Sequence, residues 1–127
     1  MSSSDAVRFT DRELDIMTVL WERGASTVAE VREALSDPLA YTTVLTILRI
    51  LEEKGYVGHE EEGRAYRYHT LVARKAAGQS ALKRLVDGLF QGAPELLMAE
   101  LVQEREVPEE TLKKLRTLLD ERLEEES

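Results

Sequence analysis

Apolar positions along this chain follow a helical period at first, a strand period near the middle, and a helical period again to the end. Leu14, Met17, Leu20 and Trp21 recur at the i, i+3, i+6, i+7 spacing of one helix face, and the stripe stops before Gly24, a residue suited to the position just past a helix end. Thr10 and Glu13 stand where a capping box belongs, with Asp11 adding a favourable charge at the positive end of the helix dipole. Thr27 and Glu30 repeat the box and open a second, shorter helix with Val28, Val31 and Leu35 inward. That helix ends before Pro38, which disfavours helix in the residue ahead of it. A third helix occupies residues 40–55. At about 100° per residue, Val44, Ile47, Leu48 and Leu51 fall on one face and Thr42, Thr46 and Arg49 on the opposite one, and Gly55 terminates the element.

Beyond Gly55 the period changes to two. Residues 56–59 read as a short strand, Glu60, Glu61, Glu62 and Gly63 as a turn, and 64–70 as a second strand with Tyr66 and Tyr68 on one face and Ala65, Arg67 and His69 on the other. The tyrosines are expected to pack on the helices while Arg67 reaches outward. Helical spacing resumes over 71–90, with Leu82, Leu85, Val86, Leu89 and Phe90 in a stripe that Gly92, Ala93 and Pro94 interrupt. A shorter helix over 95–102 and a last helix with Pro108 as its first residue follow, the latter carrying Leu112, Leu115, Leu119 and Leu123 on one face.

The pattern therefore predicts a mainly α chain with a small β-hairpin: a winged helix-turn-helix domain over 1–70 and a helical domain over 71–127. The polar, serine-rich residues 1–9 are expected to fray. The helical tail carries more apolar face than a small winged helix can cover, so Leu85, Leu89, Phe90, Leu112, Leu115 and Leu119 are expected to meet a second chain.

Composition narrows the chemistry. The 127 residues include no cysteine, which excludes disulfides, thiolate metal sites and a cysteine nucleophile and fits a reducing cytoplasm. No apolar run is long enough to span a bilayer and the first residues do not form a secretory signal, so a cytoplasmic protein without a membrane partner is expected. A net charge of −8 argues against nucleic acid if taken over the whole chain. Its distribution reverses that reading. Residues 38–51 and 63–86 hold no Asp or Glu, and the second window contains Arg64, Arg67, Arg74, Lys75, Lys83 and Arg84. Any duplex binding uses a local patch, with the acidic remainder lowering non-specific affinity.

The third helix has chemistry to match. A helix built only for stability favours Ala, Glu, Lys or Gln at exposed positions, whereas β-branched threonines are mediocre helix formers. Each offers a hydroxyl that donates or accepts and a methyl that can meet the thymine methyl, so Thr42, Thr43 and Thr46 near a helix start suit a reader of the major groove. The alternative assigns them to caps or solvated surface.

These residues together resemble the penicillinase-repressor family, the BlaI/MecI/CopY winged-helix repressors of bacteria. The similarity runs through Thr10-x-x-Glu13-x-x-Ile16-Met17-x-x-Leu20-Trp21, Tyr41-Thr42-Thr43-Val44-x-Thr46-x-Leu48, Lys54-Gly55, Tyr66-x-Tyr68 and the leucine-rich tail. The resemblance implies a homodimer with intertwined tails whose third helices enter successive major grooves of a palindromic operator built on TACA and TGTA half-sites. It implies base reading by Thr43 and Thr46, backbone or flanking contacts by Tyr41, Thr42 and Arg49, and wing contacts by Arg64 and Arg67. Departures are equally informative. Where drug-responsive members are cut at an Asn-Phe bond in the helix before the last, this chain has Glu100-Leu101, and it lacks the C-terminal cysteines through which copper-responsive members bind metal.

An enzyme is not expected: there are two histidines, no Gly-rich phosphate loop and no evident carboxylate pair. No cofactor is expected either. His59 and His69 on facing strands raise the idea of a metal site or pH switch. The competing functions are a winged helix used as a protein-interaction module and a repressor relieved by a small-molecule ligand.

Overall fold

Helix α1 (Asp11–Arg23) begins where the Thr10 hydroxyl accepts from the Glu13 N–H at 3.1 Å and the Glu13 carboxylate accepts from the Thr10 N–H at 2.8 Å. It ends at Gly24, which takes φ 84° and donates its N–H to the Leu20 carbonyl. The buried face comprises Glu13, Ile16, Met17, Val19 and Leu20. This corrects the stripe expected from spacing: Leu14 is 45% exposed and Trp21 is half-buried. The arc that packs is centred near Leu20, and Leu14 lies about 120° away from it. Trp21 sits at its margin, where the indole N–H donates to the Val72 carbonyl at 3.0 Å. The computed structural model describes residues 7–104 and 106–127.

Strand β1 (Ser26–Thr27) leads directly into helix α2 (Val28–Ala34), whose Thr27–Glu30 capping box is formed in both directions. Helix α3 (Tyr41–Glu53) follows, with Val44, Leu48 and Leu51 fully buried. Strands β2 (Val57–Glu62) and β3 (Ala65–Thr70) form the hairpin, and the two-residue β1, which periodicity did not announce, pairs with β3 to complete an antiparallel sheet of order β1-β3-β2. The expected turn at Glu60, Glu61 and Glu62 is a continuation of β2. Each of these glutamates has a partner across the ladder, Arg67, Tyr66 and Ala65 respectively, so the loop shrinks to Gly63 and Arg64. Gly63 supplies the positive φ, 63°, that a II′ hairpin turn requires at its first loop position.

Helices and sheet meet in one core of Ile16, Met17, Leu20, Val28, Val31, Val44, Leu48, Leu51, Val57 and Tyr68. Phe9 packs edge-on against Tyr56 and Trp21, with ring centroids 5.0 and 6.0 Å away, and Val7 is buried. Fraying therefore does not extend to residues 7–9; residues 1–6 lie outside the described part.

Helix α4 (Arg74–Leu89) starts three residues later than its periodicity suggests. Leu71 donates its N–H to the Tyr56 carbonyl at 2.8 Å and Val72 accepts from Trp21, so the chain stays extended past the sheet. Helices α5 (Pro94–Glu104) and α6 (Glu109–Glu126) complete the fold, and Pro108 occupies the N-cap with ψ 151° rather than the first helical position. Contacts divide the chain into two compact units, Met1–Lys83 and Arg84–Ser127. In the second, α6 buries no residue, Leu85, Leu89, Leu112 and Leu119 are exposed, and Phe90 and Leu115 are half-buried. Among the described residues no helix is long and apolar enough to cross a membrane.

Candidate nucleic-acid interface

The amphipathic split of α3 turns Tyr41, Thr42, Thr43, Thr46 and Arg49 to solvent while Val44, Leu48 and Leu51 anchor the opposite side in the core. Ala40 stands at the N-cap and supplies no side-chain bond, so the N–H groups of the first turn keep their unspent donor capacity at the positive end of the helix dipole. No acid lies in that turn. The Thr46 hydroxyl donates to the Thr42 carbonyl at 2.9 Å. This parks its proton on the helix and leaves its lone pairs outward, where they can accept from a base amine. Arg49, one turn further, makes no ion pair among the described residues.

A second device holds α3 against α1. The Lys54 ammonium, at the C-cap of α3, donates to both oxygens of Glu13 at 2.8 and 3.0 Å, and the Glu13 side chain is only 5% exposed. Burial pushes the Glu13 carboxyl up, but hydrogen bonds from Lys54 and Thr10 together with the ammonium charge outweigh it and hold the group below its ordinary range. The Thr10-x-x-Glu13 and Lys54-Gly55 motifs are thus two halves of one contact, separated by 41 positions.

The hairpin divides its charges unevenly. Arg64, in the tip turn, is exposed and makes no ion pair among the described residues. Arg67 does not reach outward as expected. Its guanidinium grips Glu62 through two nitrogens, Glu30 at 3.0 Å and the Ala25 carbonyl at 2.9 Å, tying β3 to β2 and to the start of α2. The hydrogen bond to Glu62, with the charges of Glu30 and Glu62, raises the Arg67 pKa further, and Arg67 in turn lowers that of Glu62.

Tyr66 and Tyr68 share a face as predicted but not a fate: Tyr68 is core, whereas Tyr66 is exposed. His59 and His69 do not meet. The register pairs His59 with Tyr68 and His69 with Gly58, which puts the two imidazoles on opposite faces. His59 lies 4.4 Å from the Tyr66 ring and its Nδ1 is 2.7 Å from the Glu52 carboxylate, linking the wing to the last turn of α3. Spacing along the chain gave no sign of this link, because it joins a helix to a strand. Among the described residues no group of three or more His, Cys, Asp and Glu is placed to hold a metal.

A three-helix core, a sheet ending in a cationic tip and an exposed, hydroxyl-rich third helix define a winged helix-turn-helix protein. The penicillinase repressor profile matches residues 9–121. The transcriptional regulator BlaI of Mycobacterium tuberculosis is 45% identical over 70 residues, 53% of this chain and 51% of that protein, so the chain spans about half the length of this relative. The penicillinase repressor of Bacillus licheniformis is 22% identical over 116 residues, covering 90% of this chain and 91% of the relative. The solution structure of the DNA-binding domain of the repressor BlaI superposes with a TM-score of 0.50 at 30% identity, over 54% of this chain and 87% of that one. This chain belongs to the penicillinase repressor family. Its kin are repressors, not enzymes.

Proposed function

We propose that the protein is a sequence-specific DNA-binding transcriptional repressor that acts as a homodimer on a palindromic operator with TACA/TGTA-type half-sites. The observation that carries the reading is the polar face of α3, free of acid in its first turn, with Thr42, Thr43, Thr46 and Arg49 exposed on a helix whose other face is locked in the core of a penicillinase repressor fold. Thr43 and Thr46 read base edges; Tyr41, Thr42 and Arg49 contact the backbone or flanking bases; Arg64 at the hairpin tip meets phosphate. Arg67 joins them to the extent that it releases Glu62 and Glu30. Residues 1–70 serve as the DNA-binding domain and 71–127 as the dimerisation domain. In the latter, Leu85, Leu89, Phe90, Leu112, Leu115 and Leu119 supply the apolar face that a second copy covers.

The test is fluorescence anisotropy with a labelled TACA/TGTA palindrome and a scrambled duplex at two salt concentrations. A preference for the palindrome that persists at the higher salt supports operator recognition. Equal weak binding to both duplexes would overturn the operator assignment and favour a protein-interaction role, in keeping with the acidity of the remaining surface.

A further inference from the structure

A cavity of about 440 Å³ opens in the winged-helix unit, away from the polar face of α3. That volume lies within the range of small-molecule sites. Tyr56, Leu71 and Val72 form much of its apolar wall, and Lys54, Ser80 and Lys83 belong to its polar lining; among the described residues no Asp or Glu lines it. Two observations point to a ligand. Ser80 is only 9% exposed and its hydroxyl has no hydrogen-bond partner among the described residues. A helical serine ordinarily bonds back to the carbonyl one turn earlier, so a buried hydroxyl that does not carries a desolvation cost that an acceptor in the cavity would remove. Lys54 supplies the second. Its ammonium has three donors, Glu13 occupies two of them, and the side chain remains 40% exposed.

We propose that this cavity binds a small carboxylate-bearing amphiphile, the carboxylate lying between Lys54 and Lys83 and accepting from Ser80 after a turn about χ1, the apolar body lying against Tyr56, Leu71 and Val72. A purely apolar guest leaves the hydroxyl unpaired. A phosphate monoester brings a second negative charge and further acceptor oxygens that this polar lining does not satisfy.

The chain carries its own reporter. Trp21, the sole tryptophan, donates to the carbonyl of Val72, a wall residue, so filling the cavity perturbs its fluorescence. The full chain is titrated with octanoate, 1-octanol and octylamine, with calorimetry for stoichiometry. Octanoate is expected to saturate one site per chain and to bind roughly tenfold more tightly than either analogue. Lys83→Gln and Ser80→Ala should each weaken octanoate about fivefold. Ser80→Ala should do so without lowering the melting temperature, because it removes a hydroxyl that has no partner among the described residues. The proposal is overturned by the absence of a saturable signal up to about 2 mM, by equal affinity for octanoate and octanol, or by octanoate binding that neither substitution weakens.

Discussion

Replacing Lys54 by Met keeps the aliphatic stem and removes the ammonium, leaving the Glu13 carboxylate inside the fold with the Thr10 N–H as its remaining donor. Stripping one partner from a fully dry ion pair costs about 3–5 kcal/mol. The Lys54 side chain is 40% exposed, so water recovers part of that loss, and about 2 kcal/mol is the expected destabilisation. In a unit of this size the melting temperature should fall by about 8–16 °C. Urea unfolding followed by Trp21 fluorescence gives the free energies, and Glu13→Gln, which keeps an acceptor for Thr10, completes a double-mutant cycle with an expected coupling of about 1–1.5 kcal/mol. The pH dependence supplies an independent check. Because the Glu13 pKa is lowered from 4.5, its stabilisation is complete above that value and disappears as pH falls through the lower folded-state value. Wild type and Glu13→Gln should accordingly converge in acid. A coupling energy below about 0.3 kcal/mol, or a stability difference that persists at low pH, would refute the view of Glu13–Lys54 as the clamp between α1 and α3.

Three further outcomes are expected. Thr46→Ala should weaken the cognate operator by roughly 1–3 kcal/mol and relax one position, while leaving binding to scrambled duplex unaltered in the anisotropy assay. Arg64→Ala should reduce the slope of log K against log salt by about one, and Arg67→Ala by less than one, since the Arg67 charge is already engaged by Glu62 and Glu30. Identical slopes for the two variants would show that Arg67 leaves its carboxylates on DNA. A charge at Leu115 or Leu119 should give monomers in sedimentation velocity and much weaker operator binding; dimers of normal mass would exclude the tail as the interface.

The winged helix was readable because its signals are local. Both capping boxes, the glycines after α1 and α3 and the two-faced α3 lie within a few residues of the structures they specify. The remaining features are set by non-local contacts. Leu14 satisfied the spacing of a core stripe, yet α2 and α3 set which arc of α1 is covered, and Ile16 and Val19 took the place assigned to it. Three consecutive glutamates read as a turn because they are poor strand formers, but the neighbouring strand supplied ladder partners. The capture of Arg67 by Glu30 bridges 37 positions, and the clamp between Lys54 and Glu13 bridges 41. For the candidate site, the exposed residues of α3 were legible from period alone, whereas the state of the wing arginines required the fold.

The sheet order carries one more consequence. With β3 in the middle, β2 is an outer strand, and among the described residues no further strand pairs with its outer edge, whose main-chain N–H and C=O groups can template a passing strand. Glu60, Glu61 and Glu62 stand along that edge, so a second copy approaching edge to edge brings like charges into register and is turned away. The acidic outer strand is thereby a guard against runaway strand addition. Engineering it to neutrality for tighter DNA binding would expose the protein to aggregation through its sheet.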